Sequence, residues 1–139
     1  MNGGKFDGGQ LSKSEKELRY FYKKLLNFSL KSSALMGQFQ EIHSTNTTNK
    51  KGYLPEMYSF VRWSYTQKLI VIANFSTSKA SQFELIIPKE IIQKWHSKDG
   101  KYTIVDQLYQ SKSTLKVING QGKAKIKMKP SESFIYELE

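Results

Sequence analysis

Residues 119–129 read Asn-Gly-Gln-Gly-Lys-Ala-Lys-Ile-Lys-Met-Lys, and this stretch decides the class of fold. From 123 to 129 charged and apolar residues alternate without a break. In an extended chain successive side chains point to opposite faces, so every lysine lies on one side and Ala124, Ile126 and Met128 on the other. Asn-Gly ahead of the run is a tight hairpin turn, because both residues tolerate the positive φ that such turns require. Working outward, the same vocabulary recurs. Residues 57–64 (Met-Tyr-Ser-Phe-Val-Arg-Trp-Ser) and 68–75 (Lys-Leu-Ile-Val-Ile-Ala-Asn-Phe) form a second predicted hairpin across the polar link at 65–67. The near-continuous apolar run of the second predicts a strand covered on both faces. Further strands are expected at 37–42, 82–87, 102–108, 113–118 and 133–138, with a polar loop at 45–52. One or two helical turns are expected at 88–95, behind Pro88. About eight short strands at regular spacing, with connections of mixed length, predict a mainly β protein: an antiparallel Greek-key β-sandwich.

One α-helix precedes the strands. Ser12 and Glu15 have capping-box spacing. Leu18, Phe21, Tyr22, Leu25 and Leu26 then fall at i, i+3, i+4, i+7 and i+8, a single apolar stripe that must pack on another surface. The helix should end near 28–31. The division expected is 1–34, a glycine-rich lead and this amphipathic helix, and 35–139, the β-domain. The lead at 1–10 lacks the Gly-Lys-Ser/Thr ending of a phosphate loop and reads as a linker. Its first residues do not combine a charged start with an apolar block, so no signal peptide is expected. No apolar run approaches the roughly 20 residues of a membrane span.

Chemistry is harder to find. With 139 residues and no cysteine, thiolate metal sites, disulfides and cysteine nucleophiles are excluded, and the compartment is left open. The net charge of +10 is almost all lysine, with arginine only at 19 and 62. Lysine is a flexible point charge without arginine's bidentate fork, so a solvated surface is favoured over a nucleic-acid site. The lysine row at 123–129 is expected on the solvent side of an amphipathic strand, where it also guards against edge pairing. His43 and His96 stand apart, read as solvated loop residues, and predict no metal site. Glycoside hydrolysis needs two carboxylates flanking the scissile bond. Here Asp7 lies in the lead, Asp99 is a turn former before Gly100, and Asp106 is expected on the solvent face of a strand. No serine sits in a Gly-x-Ser-x-Gly elbow. Catalytic, metal and cofactor assignments are therefore all none. Trp63 and Trp95 are the candidates for stacking on sugar rings.

The order of segments resembles the end of the α-amylase family of glycoside hydrolases. Leu-Arg-Tyr-Phe-Tyr-Lys-Lys-Leu-Leu at 18–26, followed by Ser-Ala-Leu-Met-Gly at 33–37, is similar to that family's last barrel helix and the Pro-Ala-Leu-x-x-Gly stretch after it. Tyr-Ser-Phe-Val-Arg at 58–62 and Leu-Ile-Val-Ile-Ala-Asn-Phe at 69–75 look like the first strands of its C-terminal β-sandwich. Met-Lys-Pro-Ser-Glu-Ser-Phe-Ile-Tyr at 128–136 looks like the last two. Ser33 replaces the usual proline, and 27–29 differ from the family's Leu-Arg. The resemblance implies a non-catalytic region whose parent cleaves α-glucosidic bonds by the retaining route, with catalytic carboxylates and any calcium site on earlier barrel strands. It implies the missing N-terminal barrel as partner for Leu18, Phe21, Tyr22, Leu25 and Leu26, and an α-glucan as ligand, with neither nucleic acid nor membrane. Self-association through the helix stripe is the alternative to barrel packing. A free-standing carbohydrate-binding module, using Trp63, Trp95 or exposed tyrosines, is the alternative function.

Overall fold

The computed structural model describes residues 8–48 and 51–139, so most of the glycine-rich lead lies outside the described residues. The chain divides into two compact units, the first ending at Ser32 and the second spanning Ser33–Glu139.

The first unit is built on helix α1, Lys13–Lys31. Its start is the capping box expected from the spacing: Ser12 N–H donates to Glu15 Oε2 at 2.7 Å, and Glu15 N–H donates to Ser12 Oγ at 3.3 Å. The Ser12 hydroxyl, which donates to Glu15 Oε2 at 2.6 Å, and then the Ser12 N–H hold the Glu15 carboxyl below its ordinary value. Phe21 and Tyr22 meet edge to face at 5.8 Å, and Lys24 lies over the Tyr20 ring at 4.7 Å. No residue of α1 is buried.

The second unit is an antiparallel sheet of eight strands: β1 Gln38–Glu41, β2 Met57–Trp63, β3 Lys68–Asn74, β4 Ser81–Ile87, β5 Gly100–Asp106, β6 Lys112–Ile118, β7 Gln121–Met128 and β8 Ser133–Leu138. A one-turn 3-10 helix, Ser33–Met36, leads into β1. All eight strands are hydrogen-bonded in a single curled sheet, in the order β1-β2-β3-β8-β5-β6-β7-β4. Strands β5, β6 and β7 follow one another, and β8 returns to lie beside β5, which is the Greek key. The curl closes on one core. Met57, Val61, Ile70 and Ile72 from one half meet Leu115, Val117, Ala124 and Ile126 from the other. The β6–β7 turn is the predicted Asn-Gly pair, with φ of 51° at Asn119 and 75° at Gly120. Asp99 accepts both turn N–H groups, from Asn119 at 2.7 Å and from Gly120 at 2.9 Å.

The structure corrects several expectations. The polar loop begins instead as helix α2, His43–Thr48. Its first turn is capped by Glu41, which accepts Ser44 N–H at 2.9 Å. Its buried Asn46 donates to the Ile86 carbonyl at 3.0 Å and accepts Ile86 N–H at 2.8 Å, as a neighbouring strand would. Asp106 is not on a solvent face. It is fully buried, accepting Ile135 N–H at 2.9 Å and Tyr109 N–H at 2.6 Å. Strand β7 is not an edge either, because β6 and β4 flank it; its lysines face solvent but guard nothing. His43 is half-buried, 3.2 Å from the Tyr53 hydroxyl and tilted against Tyr58. Burial pushes the Tyr53 phenol above its ordinary value, while its hydroxyl contact with Ser59 at 2.9 Å pulls the other way.

Candidate functional site

A cleft of about 610 Å³ opens where the start of β1, the β2–β3 turn and the end of α3 (Lys89–Lys94) come together. Gly37, Gln38, Trp63, Ser64, Tyr65, Lys68, Lys94, Trp95 and His96 line it. Both sequence-predicted tryptophans are therefore in one site, although 63 and 95 lie far apart in the chain.

Local structure explains each position. Trp63 is the last residue of β2, opposite Gln38 on one side and Lys68 on the other. Its half-buried ring packs against the core. The chain can pass this close only because residue 37 is glycine: a Cβ there would meet the Trp63 carbonyl oxygen at 2.1 Å. Arg62 secures the approach by donating to the carbonyls of Ala34 (3.4 Å), Leu35 and Gly37 (3.3 Å). Its guanidinium also sits 5.9 Å from the Phe39 ring centroid.

The far wall comes from α3. Pro88 precedes its first turn, at the N-cap rather than inside the helix. Ile91 and Ile92 are buried against the sheet. Gly122 on β7 allows this approach, since a Cβ there would lie 3.1 Å from Ile92 Cδ1. Trp95, the C-cap residue, is 2% exposed, and its indole N–H is buried without a hydrogen-bond partner. His96 then turns the chain with a φ of 52° and stays exposed.

Two further side chains complete the cleft: Lys94, which sequence reading missed, and Tyr65, which it covered only as one of the exposed tyrosines. Lys94 Nζ donates to Gln40 Oε1 at 3.0 Å and lies 5.8 Å from the Trp63 ring centroid, which fixes a cation over an aromatic face. Tyr65, in the β2–β3 turn, is fully exposed. A large aromatic in a two-strand turn was the available signal, because nothing in a tight turn needs it for packing.

The lining offers aromatic surface, amide, hydroxyl and ammonium groups, and none of its residues is Asp or Glu. This chemistry can stack on a ring and hydrogen-bond hydroxyls, but it holds no carboxylate pair. Among the described residues no group of three His, Asp or Glu side chains is placed to hold a metal ion, and no helix is long and apolar enough to cross a membrane.

No family model matches this chain, and no curated protein matches it. Solved structures do. A variant of AmyP in complex with maltotriose superposes over 94% of this chain with a TM-score of 0.63 at 17% identity. AmyP in complex with maltose does so over 92%, with a TM-score of 0.61 at 16% identity. An α-amylase from Anoxybacillus covers 88%, with a TM-score of 0.59 at 18% identity. In each case the chain spans only 22% of the other chain's length. At these identities the likeness is one of fold.

Proposed function

We propose that this chain is the non-catalytic C-terminal region of an α-amylase-like glycoside hydrolase. In this reading residues 1–34 carry the last helix of the catalytic barrel, and residues 35–139 form a β-domain that stabilises it. The observation that carries the reading is the asymmetry of coverage: about nine-tenths of this chain is matched against 22% of each larger one. The stripe Leu18, Phe21, Tyr22, Leu25 and Leu26 supports it, because an apolar helix face needs a surface to cover it, and the outside of a barrel sheet is such a surface. A second copy of the chain is the alternative occupant.

The test is two-armed. Purified chain should release no reducing sugar from starch, and release above background overturns the non-catalytic reading. Co-expressed with an α-amylase barrel cut before its last helix, the chain should co-purify and raise the barrel's melting temperature. Failure to associate, with self-association instead, would favour the second copy.

A second reading, glucan binding, rests on the cleft at Trp63. AmyP has been solved with maltose and maltotriose, and an aromatic floor ringed by hydrogen-bonding groups suits such sugars. Retention on insoluble starch should be lost in Trp63→Ala or Tyr65→Ala. Retention unchanged in both variants would remove the cleft from consideration.

A further inference from the structure

We propose that the outward face of β5, β6, β7 and β4 is a docking surface for phosphate groups carried on a polysaccharide. The proposal rests on the reading above only for the identity of the polymer. Sheet register places Lys101 opposite Lys116, and Lys116 opposite Lys123, so three lysines run side by side across three neighbouring strands. Lys112 lies on the same face of β6, and Lys125 and Lys127 on the same face of β7. Directly opposed like charges oppose sheet formation. The arrangement does not protect an edge, because β5, β6 and β7 are each paired on both sides.

Counter-charge is sparse. Glu84 on β4 is opposite Lys125 and 3.6 Å from Lys123 Nζ, with both side chains a little under half exposed. Glu137 on β8 borders the face beyond Val105, and Glu139, two residues on, borders it at Thr103, whose carbonyl accepts the Glu139 N–H at 3.0 Å. Six lysines against these three carboxylates leave a net positive field. Such a field attracts anions and survives only where something offsets the self-repulsion.

The remaining outward residues narrow the anion. Lys101 and Thr103 on β5 (with Val105 buried on the same side), Lys112, Thr114, Lys116 and Ile118 on β6, Lys123, Lys125 and Lys127 on β7, and Gln82, Glu84 and Ile86 on β4 include no aromatic ring and no arginine. A nucleic acid would thus find neither a stacking platform nor a fork for base edges. The opposite face of these strands encloses the core, so this face is convex, and a planar bilayer would touch only part of it. A flexible chain can follow it. Two shallow depressions flank Glu84 and Lys125. One of about 520 Å³ is lined by Ser113, Thr114, Lys116 and Lys123 among others, and one of about 540 Å³ by Lys51, Gln82 and Phe83. Lysines there meet phosphate as point charges, while the hydroxyls and amide beside them meet sugar hydroxyls.

The experiment is affinity electrophoresis of the intact chain through phosphate-bearing amylopectin and through the same polymer after phosphatase treatment. Retention should be roughly tenfold stronger on the phosphorylated polymer at low salt, the scale of a few exposed ion pairs acting together. It should fade between about 50 mM and about 500 mM salt as the screening length shrinks. The variant K116Q/K123Q/K125Q should lose the phosphate selectivity while melting no lower than the parent, since the repulsion is relieved. Equal retention on both polymers overturns the proposal. So does tighter binding to single-stranded DNA or to vesicles containing phosphatidylglycerol, and so does a triple variant that keeps its selectivity. Trp63→Ala, run in parallel, should keep phosphate selectivity. Starch hydrolysis by the chain would defeat the functional reading above without touching that selectivity.

Discussion

Replacing Asp106 tests how the sheet is locked at its Greek-key crossing. Its Oδ1 accepts Ile135 N–H from β8 and its Oδ2 accepts Tyr109 N–H from the β5–β6 turn, with no exposure to water. Asp106→Ala strands both donors. At about 1–3 kcal/mol per buried unpaired N–H, less what is recovered by no longer burying a carboxyl, the expected loss is about 2–4 kcal/mol. Asp106→Asn keeps one acceptor oxygen and should fall between the variant and the parent. The pH dependence is the sharper part. Burial is the largest influence on this carboxyl and pushes it above its ordinary value of 3.8, against the pull of the N–H donors. A carboxyl raised on folding contributes its full stability below its unfolded value, and that contribution declines as pH rises through the folded one. Urea midpoints of parent and Asp106→Asn, compared from pH 4 to pH 7, should therefore converge as pH rises. Divergence would refute the reasoning, because it would mean the N–H donors outweigh desolvation. A loss under about 1 kcal/mol in Asp106→Ala would refute the bonding account as well.

Gly122→Ala places a methyl 3.0 Å from Ile87 Cβ and 3.2 Å from Leu115 Cδ1; it should cost about 1–3 kcal/mol by overpacking and weaken starch retention by shifting α3, as urea titration and binding would show. Arg62→Lys keeps the charge but not the fork that gathers three carbonyls. Faster amide exchange at Gly37, whose N–H bonds the Ala34 carbonyl at 3.1 Å, is the expected result, and unchanged exchange would count against it. Burial raises the Tyr136 phenol to about 12. Its contribution is complete below the unfolded tyrosine value near pH 10 and is lost toward pH 12; a near-ultraviolet titration should show Tyr136→Phe lacking one late-ionising phenol.

What could be read from residues alone was whatever depends on local period. Alternation at 123–129 gives the lysines their common face, and the capping spacing at 12 and 15 gives α1 its start. Neighbours are not a local property. The same lysines look like edge protection until β4 and β6 are seen on either side. Asp106 looks solvated because its donor at Ile135 is 29 residues away. Residues 45–48 look like a loop because Asn and Thr compete with helical bonding, and the Glu41 cap and the Ile86 backbone that reverse this lie outside any short window. The cleft was half legible: two tryptophans were identifiable by type, but their meeting depends on α3, packed at Gly122 of β7, bringing Lys94 and Trp95 to the end of β2. The unpartnered indole N–H of Trp95 has no sequence signal at all.

Asn46 has a consequence for solution behaviour. Strand β4 ends the sheet, and its outer backbone would otherwise offer hydrogen bonds to any passing strand. By occupying both the N–H and the carbonyl of Ile86, one side-chain amide interrupts that template near its C-terminal end. The fold thus carries a colloidal safeguard in a helix of six residues. Loss of that amide would be felt less in the melting curve than in the lag time before aggregation.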